Sequence, residues 1–167
     1  MTFTVTEATY LALGSPFHGT EISHADLGTV RFEDEYLRAL KKAMSYLSLS
    51  DKSRVELRMK LVRQGFSYEA SDMALDRLSE LSYLDEDRQL ERAIEREANN
   101  NLRGYYYIKR KLCSKGYSSA AVRRAADRLI ERGDVDFDAN LESLLEKKGV
   151  TSDEERVALE YRFGYKI

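Results

Sequence analysis

The chain has 167 residues, enough for one compact domain that removes about 70% of its unfolded surface from water. Charged residues make up 34% and hydrophobic residues 43%, with one proline and no tryptophan, which favours helices over a β-sandwich or a disordered chain. No segment approaches the roughly 20 consecutive apolar residues of a membrane span, and the start of the chain lacks a signal-peptide pattern. We therefore expect a cytoplasmic protein that does not enter a membrane.

The net charge of −2 hides an uneven distribution of charge along the chain. Residues 37–132 hold 21 basic and 14 acidic side chains, whereas residues 1–36 hold one and six and residues 133–167 hold five and nine. Between Arg103 and Arg128 the only acid is Asp127. Such a basic segment attracts polyanions or an acidic protein surface, although a solvated helix face that has no partner can look the same.

The sequence repeats itself with a period of 51 residues. The pattern Leu57, Leu61, Gly65 and Phe66 returns as Ile108, Leu112, Gly116 and Tyr117, and later positions such as Leu78 and Leu129 also correspond. No insertion is needed to align the two copies. A constant period indicates tandem units of one design.

Each unit reads as three helices from the signals at its ends. Ser53 and Glu56 form a capping box at the start of the first helix, and Gly65 is placed to end it in a left-handed conformation. Ser67 then caps a second helix and Asp85 a third. The second unit repeats these caps with Ser118 or Ser119 and with Asp136, and Ser152 with Glu155 opens one further helix.

The predicted fold is therefore all-α, with tandem three-helix repeats in an elongated array. We expect an N-terminal appendage over 1–32, in which the alternation of MTFTVTEATYLAL allows a short β-hairpin. The expected divisions that follow are a leading helix of an incomplete repeat over 33–49, three-helix repeats over 50–101 and 102–150, and the first helix of a third repeat over 151–167.

The stretch NLRGYYYIKRKLCSKGYSS, residues 101–119, contains the candidate binding surface. On a helix that begins near Gly104, Tyr105 shares a face with the core positions Ile108 and Leu112, so we expect it to pack inward. The other rings can lie beside basic side chains on the surface, or cover a neighbouring helix with their hydroxyls in water. The predicted partner-binding residues are Arg103, Tyr106, Tyr107, Lys109, Arg110, Lys111, Lys115, Arg123 and Arg124.

The sequence gives little support to catalysis, and we expect a protein that is not an enzyme and uses no cofactor or metal. Asp85, Glu86 and Asp87 cluster at a helix start, where acidic side chains are favoured by the helix dipole. The single Cys113 has no metal-ligand spacing to His18 or His24, which we interpret as ordinary loop histidines.

Several of these segments together resemble one family. The run AMSYLSLSDKSRVELRMKLVRQGFSYE, then LDRLSELSYLDEDR, IKRKLCSKGYSS and GDVDFD, is similar to the RecX family of bacterial recombination regulators over roughly Ala39 to the C-terminus. The most specific parts are S-R-V-E-L-x-x-K-L-x-x-x-G-F, Y-L-D-E-D and D-V-D-F. Where this family usually has glycine, proline and two basic residues, the chain has Gly104 and three tyrosines.

The resemblance implies tandem three-helix repeats and a partner, the RecA recombinase filament, whose strand exchange, ATP turnover and co-protease activity such proteins dampen. It also implies that the basic surface meets the filament and the single- or double-stranded DNA within it, and we expect the chain to act as a monomer. Two alternatives remain: a stand-alone DNA- or RNA-binding protein, with rings that stack on bases, and an adaptor that joins other proteins.

Overall fold

The computed structural model describes residues 2–17 and 19–166, and within them every regular element is a helix. The predicted all-α fold class is confirmed. The helices are α1 (Glu7–Ala12), α2 (His24–Leu49), α3 (Arg54–Arg63), α4 (Tyr68–Glu80), α5 (Glu86–Glu95), α6 (Tyr105–Ser114), α7 (Ser119–Glu131), α8 (Phe137–Lys148) and α9 (Asp153–Phe163). A π-helical turn, Arg96–Asn100, continues α5.

The helices begin where the capping residues predict. The Ser53 hydroxyl accepts a hydrogen bond from the backbone N–H of Glu56, and Ser67, Ser118 and Ser152 cap α4, α7 and α9 in the same way. Each such cap satisfies a backbone donor that has no partner within its own helix. Gly65 follows the C-cap of α3 with φ +92°, the left-handed conformation that glycine adopts without steric cost.

The chain packs as two compact units that divide between Leu84 and Asp85. In the N-terminal unit, α2 and α3 pack against α4. Their shared core includes Leu57, Leu61 and Leu78, all fully buried, and the small Ala39 and Ala43 let α2 approach closely. Apolar residues at helical spacing on three helices therefore enclose one core.

The C-terminal unit has the same design in α5, α6 and α7. Leu90 and Ile94 from α5 meet Ile108 from α6 and Leu129 from α7 in its core. Helix α8 packs against the π-helical turn and against α9. Each core thus combines the third helix of one sequence repeat with the first two helices of the next. The packing units are therefore offset by one helix from the 51-residue sequence repeats. The division of the chain into those repeats stays a prediction.

The structure corrects the expectation of a strand or hairpin near the N-terminus. Residues Glu7–Ala12 form α1, because the Thr6 side chain accepts a hydrogen bond from the Thr9 N–H and Glu7 lies in the first turn, where the helix dipole favours an acid. The Thr6 hydroxyl also donates to Glu33 Oε1 at 2.6 Å, which attaches this segment to α2.

The leading helix is also longer than expected. It begins at His24 instead of residue 33, because Ser23 caps it and its hydroxyl donates to Asp26 Oδ2 at 2.6 Å. His24 is therefore the first residue of a helix and not a loop residue, and His18 lies outside the described residues. None of the helices in the described ranges has the length and apolar character to cross a bilayer.

Truncation of a core leucine should destabilise the N-terminal unit. Leu57 is fully buried, so Leu57→Ala should lower the free energy of unfolding by about 2–5 kcal/mol through lost burial and a residual cavity. Urea denaturation followed by circular dichroism measures the change. The matched control is Leu49→Ala, at a leucine that is 80% exposed, where we expect less than about 0.5 kcal/mol. Equal losses in both variants would contradict the assignment of this core.

Candidate partner-binding surface

Helix α6 begins in an unusual way, because its N-cap, Gly104, has no side chain with which to cap it. The carbonyl oxygen of Phe163 accepts a hydrogen bond from the Gly104 N–H at 2.9 Å, and that of Gly164 accepts one from the Tyr106 N–H at 3.0 Å. Backbone oxygens from the end of α9 thus satisfy N–H groups at the start of α6, where the other α-helices have a Ser, Thr or Asp side chain as the acceptor. The sequence around Gly104 alone could not reveal this contact.

Arg103 and Tyr107, both predicted as partner-binding residues, belong to this contact. The guanidinium carbon of Arg103 lies 4.5 Å from the ring centroid of Tyr107 and 4.5 Å from that of Phe163. Tyr107 also packs against the core of the C-terminal unit. Cation–π attraction with two rings holds Arg103 between α6 and α9. Arg103 and Tyr107 therefore stabilise the fold at this contact.

Tyr165 closes the same contact with its hydroxyl. It donates a hydrogen bond to the carbonyl oxygen of Leu102 at 3.1 Å. Burial raises the pKa of Tyr165 to about 12, although the nearby Arg103 acts to lower it. The hydroxyl therefore keeps its proton, and the hydrogen bond is available, throughout the physiological pH range.

Tyr105 packs inward, as its register predicts. It lies against the core, and its ring meets Phe137 edge to face with 6.3 Å between centroids. Burial raises the pKa of Tyr105, the Asp127 carboxylate raises it further and Arg123 opposes this, because both of these α7 side chains act on the ring at short range. Lys109 Nζ lies 5.9 Å from the same ring centroid. Lys109 therefore lies on the flank of α6 that faces α7, and Arg123 lies on the side of α7 near this ring.

Lys111 lies on the opposite flank of α6, where its ammonium binds Glu97 Oε1 of the π-helical turn at 2.8 Å. The Glu97 side chain is only 8% exposed. Burial alone would raise the pKa of Glu97, but the hydrogen bond and charge of Lys111, with smaller effects of Asn101 and Arg96, together outweigh burial and hold the pKa below its ordinary value of 4.5. Lys111 is thus engaged in a structural ion pair, and Lys115 follows it at the exposed C-cap of α6.

Tyr106 and Arg110 point away from the core, one helical turn apart on the side of α6 opposite Ile108 and Leu112. The Tyr106 ring is 41% exposed. On α7, Arg123 and Arg124 are both exposed. We call Tyr106, Lys109, Arg110, Arg123 and Arg124 the outer face of α6–α7.

Few of the charges on this outer face are neutralised within the protein. In the part of the chain that the structure describes, only Arg123 has an ion pair, at 3.6 Å from Asp127, and that pair is exposed to solvent. Lys109, Arg110 and Arg124 have none there. Three cations and one exposed ring are therefore available to a partner.

Other cations of the basic segment are not available in this way. Arg128 binds Asp87 at 2.9 Å and Glu91 at 2.7 Å, both on α5, and Arg132 binds Glu91 at 3.0 Å. The hydrogen bond from Arg128 Nε is the main cause of the lowered pKa of Glu91. In the sequence Arg128 belongs to the basic segment without an evident partner, because the acids that bind it lie about forty residues earlier in the chain. The i, i+4 spacing of Asp87 and Glu91 is the signal that could have indicated an acidic stripe on α5.

The outer face has the chemistry of a binding surface for anions. It offers cations and a ring, but no nucleophile paired with a base. Among residues 2–17 and 19–166, no group of three or more His, Cys, Asp and Glu side chains is arranged to hold a metal ion.

The family model and the relatives that match this chain are all RecX proteins. A family model described as RecX, first three-helix domain, matches residues 39–78. The chain is 37% identical over 125 residues to the regulatory protein RecX of Lactobacillus johnsonii and 33% identical over 127 residues to that of Lactobacillus gasseri. These matches include 72% and 74% of this chain but 44% and 45% of the relatives, so the chain spans less than half of their length.

The fold is also that of a solved structure. The crystal structure of a regulatory protein RecX aligns with a TM-score of 0.72, over 99% of this chain and 83% of that chain, at 17% sequence identity. At this identity the match shows a common helical fold.

The contact between α6 and α9 should be sensitive to a methyl group at Gly164. A Cβ at this position would collide with Tyr107, and the residue has φ +83°. Gly164→Ala should therefore lower the free energy of unfolding by about 2–4 kcal/mol. Gly133→Ala is the matched control, because Gly133 has φ +76° but a Cβ added there would meet nothing within 4 Å, and we expect a loss of about 1 kcal/mol. Equal losses would show that the close approach contributes nothing.

The ion pair between Glu97 and Lys111 predicts a pH dependence of stability. Because the folded-state pKa of Glu97 is lowered, its contribution is complete above the unfolded value of about 4.5 and is lost as the pH falls through the folded pKa. Glu97→Gln should thus destabilise the protein at pH 7, and the difference from wild type should shrink toward pH 3. Urea unfolding at both pH values measures it.

The control for this variant is Glu95→Gln, at an exposed acid for which the described residues offer no ion pair. This control should change stability little at either pH. A difference between Glu97→Gln and wild type that stays constant from pH 7 to pH 3 would contradict the role of the ionised carboxylate.

Proposed function

The chain belongs to the RecX family of regulatory proteins, and we propose that it binds the RecA recombinase filament and inhibits recombinase and co-protease activity in DNA repair. The family resemblance noted in the sequence is thereby confirmed. Filament binding and inhibition are proposed here in addition to membership of the family. On this proposal the protein acts in the cytoplasm as a monomer and is not an enzyme.

The observation that supports this function most directly is the outer face of α6–α7. Lys109 and Arg110 are on α6 with Tyr106, Arg124 is exposed on the adjacent α7, and within the described residues none of the three cations is neutralised by an acid. A filament of recombinase on DNA offers carboxylates and phosphates, the groups that such cations bind.

In the proposed mechanism the protein inhibits by being bound to the filament, and no chemical reaction is required. The cations neutralise phosphates or acidic side chains and release counterions, so that affinity depends steeply on salt. The exposed Tyr106 ring adds an apolar contact beside Arg110. A protein held on the filament in this way obstructs the subunit and DNA movements that strand exchange requires.

A stand-alone nucleic-acid-binding protein is the second candidate, and the exposed ring of Tyr106 favours it. A ring next to a cation can stack on an unpaired base while the cation contacts the phosphate. Under this alternative, bare single-stranded DNA or RNA would bind as tightly as the assembled filament does.

Charge reversal on the outer face tests the proposal. The double variant Arg110→Glu with Arg124→Glu should bind the ATP-loaded filament at least about tenfold more weakly at physiological salt, and the slope of log affinity against log salt should become shallower by about two. Fluorescence anisotropy with labelled protein measures binding to filament, to recombinase without DNA and to bare DNA.

The control with the same change in charge is Lys147→Glu with Lys148→Glu, at two exposed cations in the last turn of α8. It should retain filament affinity within about threefold, since only long-range attraction is altered. Unchanged affinity in the α6–α7 variant would remove the outer face from the interface. Equal wild-type affinity for bare DNA and filament would favour the alternative function.

A further inference from the structure

The outer face of α6–α7 has a counterpart in the N-terminal unit. A shift of 51 residues places Tyr106 on Val55, Arg110 on Met59 and Arg124 on Met73. Helices α3 and α4 have the same lengths as α6 and α7, and the N-caps of α4 and α7, Ser67 and Ser118, are both serines. The same surface positions therefore have different chemistry in the two units.

The counterpart surface is apolar and solvent-exposed. Val55, Met59 and Met73 are 44%, 43% and 45% exposed, so their side chains do not belong to the core. Val55 and Met59 lie one turn apart on α3, on the side opposite the buried Leu57 and Leu61. Methionine is flexible and polarizable, which suits it to contact with another protein surface.

The charges between these apolar residues neutralise one another. Arg54 binds Asp76 at 2.8 Å and Asp72 at 3.5 Å, and Arg58 also reaches Asp72 at 3.5 Å. At the corresponding positions the C-terminal unit has Tyr105, Lys109, Arg123 and Asp127. Two arginines and two aspartates leave no net charge at these four positions, which therefore offer a phosphate chain no net attraction.

We propose that the outer face of α3–α4, formed by Val55, Met59 and Met73, binds an apolar protein surface of the recombinase, while the outer face of α6–α7 binds phosphates. This inference rests on the proposed function and divides it between the two units. The repeated fold thus presents one protein-binding face and one polyanion-binding face.

The chemistry around the apolar residues further specifies the partner. Arg63 follows Met59 by one turn, is exposed, and has no ion pair among the residues that the structure describes. A partner surface that covers Val55 and Met59 would place its own edge near this cation. The complementary surface is therefore apolar with an anionic group at its rim, and a carboxylate beside apolar side chains is the combination that a protein surface offers.

Neutral substitutions of the methionines test the inference without a change in charge. The full chain with Met59→Ser and Met73→Ser should bind recombinase in the absence of DNA about tenfold more weakly. The reason is that serine buries much less apolar surface against the partner than methionine does. Binding to a single-stranded oligonucleotide should remain within about twofold of wild type. Arg63→Glu should weaken binding to recombinase in the same direction.

The matched control is Met44→Ser on α2, at a methionine that is 42% exposed but lies on neither α3 nor α4. It should bind both probes like wild type. Thermal unfolding by circular dichroism should show the same transition for all variants, because each replaced side chain is on the surface.

Three results would overturn this inference and leave the proposed function standing. The first is a double methionine variant that binds recombinase as tightly as wild type does, and the second is an equal loss of affinity for recombinase and for the oligonucleotide. The third is a wild-type dimer, seen by sedimentation, that the methionine substitutions convert to a monomer. Wild-type protein that binds neither recombinase nor filament would instead overturn the proposed function, and this inference with it.

Discussion

The fold depends on one packing relation, in which a helix from one sequence repeat closes the core formed by the next two helices. Helix α2 covers α3 and α4 through Ala39 and Ala43, and α5 covers α6 and α7 through Leu90 and Ile94. A two-helix hairpin alone would leave its leucines in water, so each unit requires the preceding helix. Because the apolar faces are committed to these cores, the outward faces of α3–α4 and α6–α7 are free to differ in chemistry.

Ion pairs within the protein determine which of the cations remain available to bind a partner. Acids on α5 bind Arg128, and Glu97 in the π-helical turn binds Lys111, so these charges stabilise the C-terminal unit. A cation already held by a poorly exposed carboxylate cannot turn to a phosphate without leaving that carboxylate unpaired, which is costly. The basic character of the segment as a whole therefore overstates the charge available for binding. The available part is concentrated at Lys109, Arg110 and Arg124.

Local signals in the sequence were sufficient for most of the fold. Caps such as Ser53 and Ser67 and the leucine spacing act within one or two helical turns, so the helices of both units could be predicted from them. The N-terminal segment forms a helix where a strand was expected, because the alternation of Thr with Phe3 and Val5 suits a strand, whereas the cap at Thr6 favours a helix. In the candidate site, the inward orientation of Tyr105 followed from helical spacing. The positions of Arg103 and Arg128 could not be predicted, because Phe163 and Glu91 are brought to them only by tertiary packing.

The backbone oxygens that cap α6 have a consequence for the order in which the protein is made. Everything needed for the N-terminal core has been synthesised once residue 84 is joined to the chain, so that core can form early. The first turn of α6 is different, since its amide protons wait for carbonyl groups that are added some sixty residues later. Until residues 163 and 164 leave the ribosome, this turn has only water as its partner, and its completion requires the closure of a long loop. During translation the N-terminal unit can therefore complete its core before the first turn of α6 in the C-terminal unit has its hydrogen-bond partners.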